Sequence, residues 1–538
     1  MDQSLVGDIQ AWIADDPDPV TASQLQQWLD TNNETELRTS FNGFLQFGTA
    51  GLRGPIRPGP SGMNRAVVGR TAAGLVAYMK ERNLTSVVIG RDARYGSEDY
   101  TFETAEIMSG AGMKVFVLPR PLPTPVLAFA TNELGCDVGI MVTASHNPPQ
   151  DNGYKVYLGG TVDGIEYRGS QIVSPTDVSI AHKIDAIKSL KEQPRGKEWT
   201  VLGEEIIEKY IDRTAALATN PGSLRIVYTA MHGVGTETLQ RVFHKAGFAS
   251  PILVDAQAAP DPDFPTVAFP NPEEPGAIDL ALETAKAFDA DLVIANDPDA
   301  DRCAAAIKDP ATGWRMLRGD ELGAILGESI ARKTSTGIFA NSIVSSSILK
   351  KIAEHYNLEF KETLTGFKWL AKIKGLTFGY EEALGYAVDA KTVNDKDGIS
   401  AAITLAQIAT DLAADGKTLL DLLDEIWARH GFHATEQISI RLSDLSKVGV
   451  ILGGLRVSPP HNIAGRAVTS IDDLAAPTDE LPPTDGLRIW LDGGVRIIIR
   501  PSGTEAKMKC YIEVIEKDSK TAQVVLDQLR PPLKELLS

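Results

Sequence analysis

Cysteine is scarce in this chain: Cys136, Cys303 and Cys510 are three in number and far apart. That pattern excludes a disulfide framework and a zinc knuckle. Positive charge is also in deficit, with 53 Lys and Arg against 71 Asp and Glu, a net charge of −18. Nucleic acids and anionic membranes call for a basic surface, so neither is an expected partner. A small anion is not excluded, because a local cluster of Arg and Lys can sit inside an acidic protein. No apolar stretch approaches the ~20 residues of a membrane span. The opening Met1-Asp2-Gln3-Ser4 carries neither a basic nor an apolar leader. A reducing cytoplasm is the expected location.

What is present is an ordinary globular composition over 538 residues, enough for about three to five domains. Residues 1–45 read as a helical extension, in which Ser23 could cap a helix carrying Leu25, Trp28 and Leu29 on one face. Strands and helices then alternate, as in parallel α/β sheets. Apolar runs at 86–90, 114–118 and 139–144 mark a first block, and those at 224–228, 251–254 and 291–295 a second. A third begins with a helix near 319–333 and the strand Ile338-Phe339-Ala340. The last part differs: strand-like segments at 437–441, 487–491, 495–499 and 508–512, with a hairpin turn at Asp492-Gly493-Gly494, predict an α+β domain. The fold class is therefore α/β, with three similar sheet domains followed by a smaller α+β C-terminal domain. The expected boundaries are 46–212, 213–316, 317–431 and 432–538. The Pro-rich stretches 257–275 and 458–483 read as loops or linkers.

Five segments carry possible chemistry. Gly139 to Pro149 ends an apolar run on Ser145-His146, a hydroxyl beside an imidazole where open α/β sheets place their sites. Asp151-Asn152-Gly153 reads as a turn leading to Lys155. Asn296 to Arg302 puts Asp297, Asp299 and Asp301 at alternate positions after an apolar strand, a set that can converge on a hard divalent cation such as Mg²⁺. An EF-hand needs Gly at its sixth position and Glu at its twelfth; Arg302 and Lys308 stand there instead. Arg302 could balance the acids or donate to a phosphoryl oxygen. Arg500-Pro501-Ser502-Gly503-Thr504-Glu505 has the composition of an anion-binding nest, or of an ordinary turn. Phe47 to Pro55 places three glycines around Arg53, either a close backbone approach to a ligand or a surface turn. Gly379 to Tyr386 holds paired acids, Glu381 and Glu382, beside aromatics. Finally, Gly233-Val234-Gly235 with Asp255 imitates a dinucleotide fingerprint, but Thr238 replaces the third glycine.

Taken together, the motifs at 143–148, 297–302 and 500–505 resemble those of the α-D-phosphohexomutase superfamily, which includes phosphoglucomutases and phosphomannomutases. The resemblance runs from about Phe47 to the C-terminus. It implies four domains around a central cleft, with Ser145 carrying a transferable phosphate and Asp297, Asp299 and Asp301 holding Mg²⁺ together with it. Lys155, His146 and Arg53 match further catalytic positions, and Arg302 borders the metal. Arg500, Ser502, Gly503 and Thr504 match the loop that binds the non-reacting phosphate. Gly366 and Lys368 match a ligand loop of the third domain, and Glu381, Glu382 and Gly385 its sugar loop. Many hexomutases have Ser and His where this chain has Leu384 and Tyr386, a variant resembling the phosphopentomutase and bisphosphate-synthase branch.

The implied activity is a mutase for sugar 1- and 6-phosphates, glucose phosphates foremost and mannose phosphates besides, acting as a monomer or homodimer on small-molecule sugar phosphates. It would work through a sugar bisphosphate such as glucose 1,6-bisphosphate. A phosphopentomutase or a metal-dependent sugar phosphatase stays open as an alternative. A non-catalytic sugar-phosphate sensor would not need Ser145, Lys155 and three aspartates together.

Overall fold

The computed structural model describes residues 2–49, 51–442, 444, 446–476, 481–501 and 507–537. The chain divides into two compact units. The first is Met1–Leu317 with Ala371–Lys374 and Ala383–Asp411; the second is Arg318–Leu370 with Gly375–Glu382 and Leu412–Ser538. Among the described residues no helix is long and apolar enough to cross a membrane.

The first unit opens with helices Gln3–Asp15, Pro19–Asp30 and Glu34–Ser40, which share a small core of Ile9, Leu25 and Leu37. The second helix starts earlier than the sequence suggested. Asp18, not Ser23, caps it by accepting from Val20 N, and Pro19 fills the first turn, where its missing N–H costs nothing. Asp15 ties the extension down by accepting from Ser189 Oγ, Leu190 N and Lys191 N.

Two sheets follow. The first runs in the order Leu52–Pro55, Asp151–Leu158, Val138–Val142, Ser86–Arg91, Lys114–Val117, Thr200–Val201. Its central strands are parallel, while Asp151–Leu158 lies antiparallel to Val138–Val142. Val138–Val142 is wholly buried, which explains its unbroken apolar sequence. Asp151-Asn152-Gly153 therefore begins a strand and is not a turn; the chain reverses just before it, after Pro148. The second sheet is Ile252–Leu253, Ile226–Thr229, Leu292–Ala295, Ala304–Asp309, Gly313–Met316, its first three strands parallel.

In the second unit, parallel strands Glu359–Thr363, Ile338–Ser342 and Leu376–Glu381 pair in that order. A separate antiparallel sheet runs Phe432–Arg441, Lys507–Glu516, Val495–Pro501, Leu487–Leu491, Arg466–Asp473, Asn462–Ile463. Helix Ser519–Leu536 covers it through Val525, Leu526, Leu529 and Leu533. Arg466–Asp473 lies inside the stretch that the sequence marked as a linker. It sits near the sheet edge with most side chains exposed or half-buried, so it lacks the apolar alternation that announces a strand.

Candidate active site

The end of strand Val138–Val142 turns sharply to present Ser145. Ser145 adopts φ 52°, a left-handed conformation rare outside glycine, and its N–H is satisfied by Thr143 Oγ1 at 2.9 Å. This turn aims a buried hydroxyl away from its own sheet. Ser145 Oγ donates to Asp297 Oδ2 at 2.8 Å and lies 3.2 Å from His146 Nδ1.

Asp297, Asp299 and Asp301 follow strand Leu292–Ala295, and all three are completely buried. The loop is fixed from both sides. Arg302 N donates to Asp297 Oδ1 at 3.1 Å, Asn296 Nδ2 to Arg302 O at 2.6 Å, and Thr124 Oγ1 to Asp299 Oδ2 at 2.6 Å. Lys155 Nζ donates to Asp299 Oδ2 at 2.7 Å and to Asp301 Oδ2 at 2.9 Å. Three buried carboxylates so close would repel strongly without such partners. Burial and Asp299 both oppose ionisation of Asp301, yet Lys155, Lys396 and Arg302 hold its carboxyl below the usual range. Burial likewise opposes charge on Lys155, but Asp299 and Asp301 raise its pKa, so it stays an ammonium.

Two carboxylate oxygens remain over. Asp299 Oδ1 and Asp301 Oδ1 are buried and accept no hydrogen bond. One oxygen from each of the three aspartates can be chosen so that all lie within 4.8 Å of one another. Three converging carboxylates, two of them with an oxygen that accepts no hydrogen bond, fit a divalent cation. His146 is neutral: burial, and then Arg302 and Arg53, push its pKa well below the normal histidine value. Arg53 reaches Asn147 Oδ1 at 3.4 Å from the neighbouring strand.

Of the three glycines around Arg53, Gly51 is required by the packing of the strands themselves. Gly51 has φ 75°, and a Cβ there would stand 1.8 Å from Tyr154 O, so glycine lets the strand of Arg53 close onto that of Lys155. The dinucleotide imitation dissolves similarly. A Cβ at Gly233 would meet the Pro298 backbone at 2.3 Å, so that glycine seats the acidic loop.

In the second unit, Glu382 Oε2 accepts from Ser345 Oγ at 2.9 Å and Ser342 Oγ at 3.2 Å. Burial, then Glu381, raises its pKa. Glu381 Oε1 accepts from Gly366 N at 2.6 Å, so this amide is already engaged within the loop. Lys368 lies in the short helix Phe367–Leu370, and Arg500 is half-buried near the end of strand Val495–Pro501. Ser502, Gly503 and Thr504 lie outside the described residues. In the first unit, Gly385 opens the fully buried strand Gly385–Ala387.

Four successive family models match: phosphoglucomutase/phosphomannomutase alpha/beta/alpha domain I over residues 45–187, domain II over 208–313, domain III over 318–430 and the C-terminal domain over 456–529. The chain belongs to the phosphoglucomutase/phosphomannomutase family. A probable phosphomannomutase of Haemophilus influenzae is 47% identical over 88% of this chain and 98% of its own. A phosphopentomutase of Mus musculus is 33% identical over 99% and 95% respectively. The fold is shared with a phosphoglucomutase/phosphomannomutase family protein of Burkholderia thailandensis. That similarity has a TM-score of 0.71 at 19% identity, over 90% of this chain and 96% of that one. Members of this family are phosphomutases, isomerases that move a phosphoryl group within a sugar, and the chain has three α/β domains and a C-terminal domain as they do.

Sequence reading missed three residues that contact this candidate site. Lys396 Nζ lies 2.8 Å from Asp301 Oδ2, as close as Lys155, and its side chain is 11% exposed. Its signal was the run Asp395-Lys396-Asp397 before the apolar helix Gly398–Ala414, since charges there are cheap only if paired. Thr124 and Arg94 left no signal, because each acts on a loop more than 50 residues away in the chain.

Proposed function

We propose that this chain interconverts sugar 1-phosphates and sugar 6-phosphates, glucose phosphates foremost and mannose phosphates besides, through a phosphoserine at 145 and a sugar bisphosphate. The observation that carries this is a buried Ser145 hydroxyl 2.8 Å from an aspartate cage with two buried oxygens that accept no hydrogen bond. Free, buried cysteines suit a cytoplasmic setting.

In this reading Asp297, Asp299 and Asp301 hold Mg²⁺, which would supply charge neutralisation at the phosphoryl oxygens. The phosphoryl group on Ser145 passes to a free sugar hydroxyl. The Oγ–P bond breaks, the sugar O–P bond forms, and the proton given up by the sugar hydroxyl is matched by one taken up at Ser145 Oγ, leaving a serine hydroxyl and a sugar bisphosphate. In-line transfer puts the incoming oxygen on the face of phosphorus opposite Oγ. His146, neutral and beside Oγ, is therefore a hydrogen-bond partner for the leaving serine oxygen. Lys155, Lys396 and Arg302 offset charge on the transferring oxygens. Glu382 receives sugar hydroxyls; Arg500, with Ser502, Gly503 and Thr504, receives the second phosphate. The bisphosphate turns around, and its other phosphate returns to Ser145.

A pentose phosphate is the second reading. Leu384, which has no side-chain donor, and the buried Tyr386 stand at the positions where many hexomutases have Ser and His. The test is a panel of glucose, mannose, ribose and deoxyribose 1-phosphates with Mg²⁺ and a trace of glucose 1,6-bisphosphate, followed by phosphorus NMR. Isomerised sugar phosphate supports the mutase, and free phosphate alone refutes it. Ser145→Ala should abolish turnover.

A further inference from the structure

The turn that carries Ser145 is held by a residue that touches no part of the aspartate cage. Strand Ser86–Arg91 ends in Asp92-Ala93-Arg94, and the Arg94 side chain is 1% exposed. Its guanidinium donates to four main-chain carbonyls of one segment. Nη2 reaches Ser145 O and Asn147 O, both at 2.6 Å; Nη1 reaches Pro148 O at 2.8 Å and Asp151 O at 3.2 Å. Asp92 Oδ2 lies 3.3 Å from Nε and balances the charge. Asp92 Oδ1 accepts from Arg94 N and Ser97 Oγ, which fixes the carboxylate in turn. The guanidinium lies 4.9 Å from the Phe264 ring centroid.

This geometry answers a need that the local sequence creates. Residues 145–151 leave a strand, turn through a left-handed serine and two prolines, and enter the next strand. Few ladder bonds are open to their carbonyls on the way, and buried carbonyls require donors. A planar fork of five N–H groups can serve four acceptors from one point.

We propose that Arg94 is a positioning residue for phosphoryl transfer, fixing the main chain of 145–151 so that Ser145 Oγ faces Asp297. The proposal rests on Ser145 being the phosphate carrier. A misplacement of about 1 Å at a reacting atom costs about 100-fold in rate. Sugar hydroxyls and the second phosphate are bound elsewhere, so substrate affinity should hardly move.

The test is Arg94→Lys, which keeps the charge opposite Asp92 but cannot bridge four carbonyls. Expected results, measured well below the variant's own melting transition, are a kcat about 100-fold lower, a KM within about threefold of wild type, and phosphoserine 145 lost faster to water, followed by intact mass. A wild-type kcat in the folded variant overturns the proposal. So does a loss of kcat that merely tracks a fall in melting temperature. Should Arg94→Lys not fold, Asp92→Asn loosens the same guanidinium and must show the same split of kcat from KM; parity with wild type there also overturns it. Ser145→Ala separates the two ideas. If that variant turns over, the phosphoserine reading has failed and takes the Arg94 role with it. If it is dead while Arg94→Lys is normal, only the Arg94 assignment fails.

Discussion

Glu513→Gln should destabilise the C-terminal unit by about 3 kcal/mol at pH 7, and the loss should shrink as the pH falls. Glu513 sits in strand Lys507–Glu516 and is 3% exposed. Its Oε1 accepts from Ser346 Oγ at 2.6 Å and Ser347 N at 2.7 Å, and lies 3.1 Å from His433 Nδ1. Its Oε2 is 2.9 Å from Arg496 Nη2. Arg496, also buried, donates onward to Ile343 O and Ser345 O. Burial alone would raise the Glu513 pKa, but Arg496, His433 and Ser346 lower it from 4.5 to about 2. At 1.36 kcal/mol per unit, that depression corresponds to about 3 kcal/mol. Losing one partner of a buried ion pair costs about 3–5 kcal/mol, the same order. The sign follows from proton binding. Between pH 4.5 and about 2 the unfolded chain holds more protons at this site, so the stabilisation is present above 4.5 and vanishes as the pH falls through about 2.

The assay is thermal unfolding at pH 7, 5 and 3.5 of wild type, Glu513→Gln and the double variant Arg496→Met/Glu513→Leu. At pH 7 the single variant should melt about 10 °C lower in the transition of this unit. The double variant should lose less, because it leaves no unpaired buried charge. The gap between wild type and Glu513→Gln should narrow at pH 3.5. A single variant no worse than the double one, or a gap independent of pH, would refute the reasoning. The same clamp holds the loop of Ser345, whose hydroxyl donates to Glu382, so surviving single-variant protein should also show a raised KM.

Lys396→Met should lower kcat by about 100-fold, because it removes an ammonium from a buried carboxylate where transferring charge would gather; normal steady-state turnover would refute that role. Chelation with EDTA should abolish isomerisation, and Mg²⁺ should restore it. Activity unaffected by exhaustive chelation would show that the two open aspartate oxygens do not serve a metal. Asp15→Ala removes three hydrogen bonds that anchor the N-terminal helices and should cost about 1–3 kcal/mol by denaturant titration, with kinetics unchanged.

The chemistry was legible in the sequence wherever functional groups are neighbours in the chain. Ser145-His146 after an apolar run, and three aspartates at alternate positions after another, declare themselves because strand end and loop are local properties. Asp18 was overlooked as a cap in favour of Ser23 for a local reason also: Pro19 marks the first helical turn more firmly than any later hydroxyl does. The strand Arg466–Asp473 was hidden because pairing in its sheet, not its own apolar pattern, creates it.

By itself, then, the sequence determined the order of α/β and α+β domains, the serine, the aspartates and the basic residues beside them, since apolar periodicity and charge spacing are written along the chain. Tertiary structure alone decided what each of these groups faces. Lys396 meets Asp301 and Thr124 meets Asp299. Arg94 grips the turn of Ser145, Gly51 lets the strand of Arg53 close onto Tyr154, and Gly233 makes room for the Pro298 backbone. The reason is that a buried charge or carbonyl is satisfied by whatever donor the folded chain brings within 3 Å, and sequence separation places no limit on that choice.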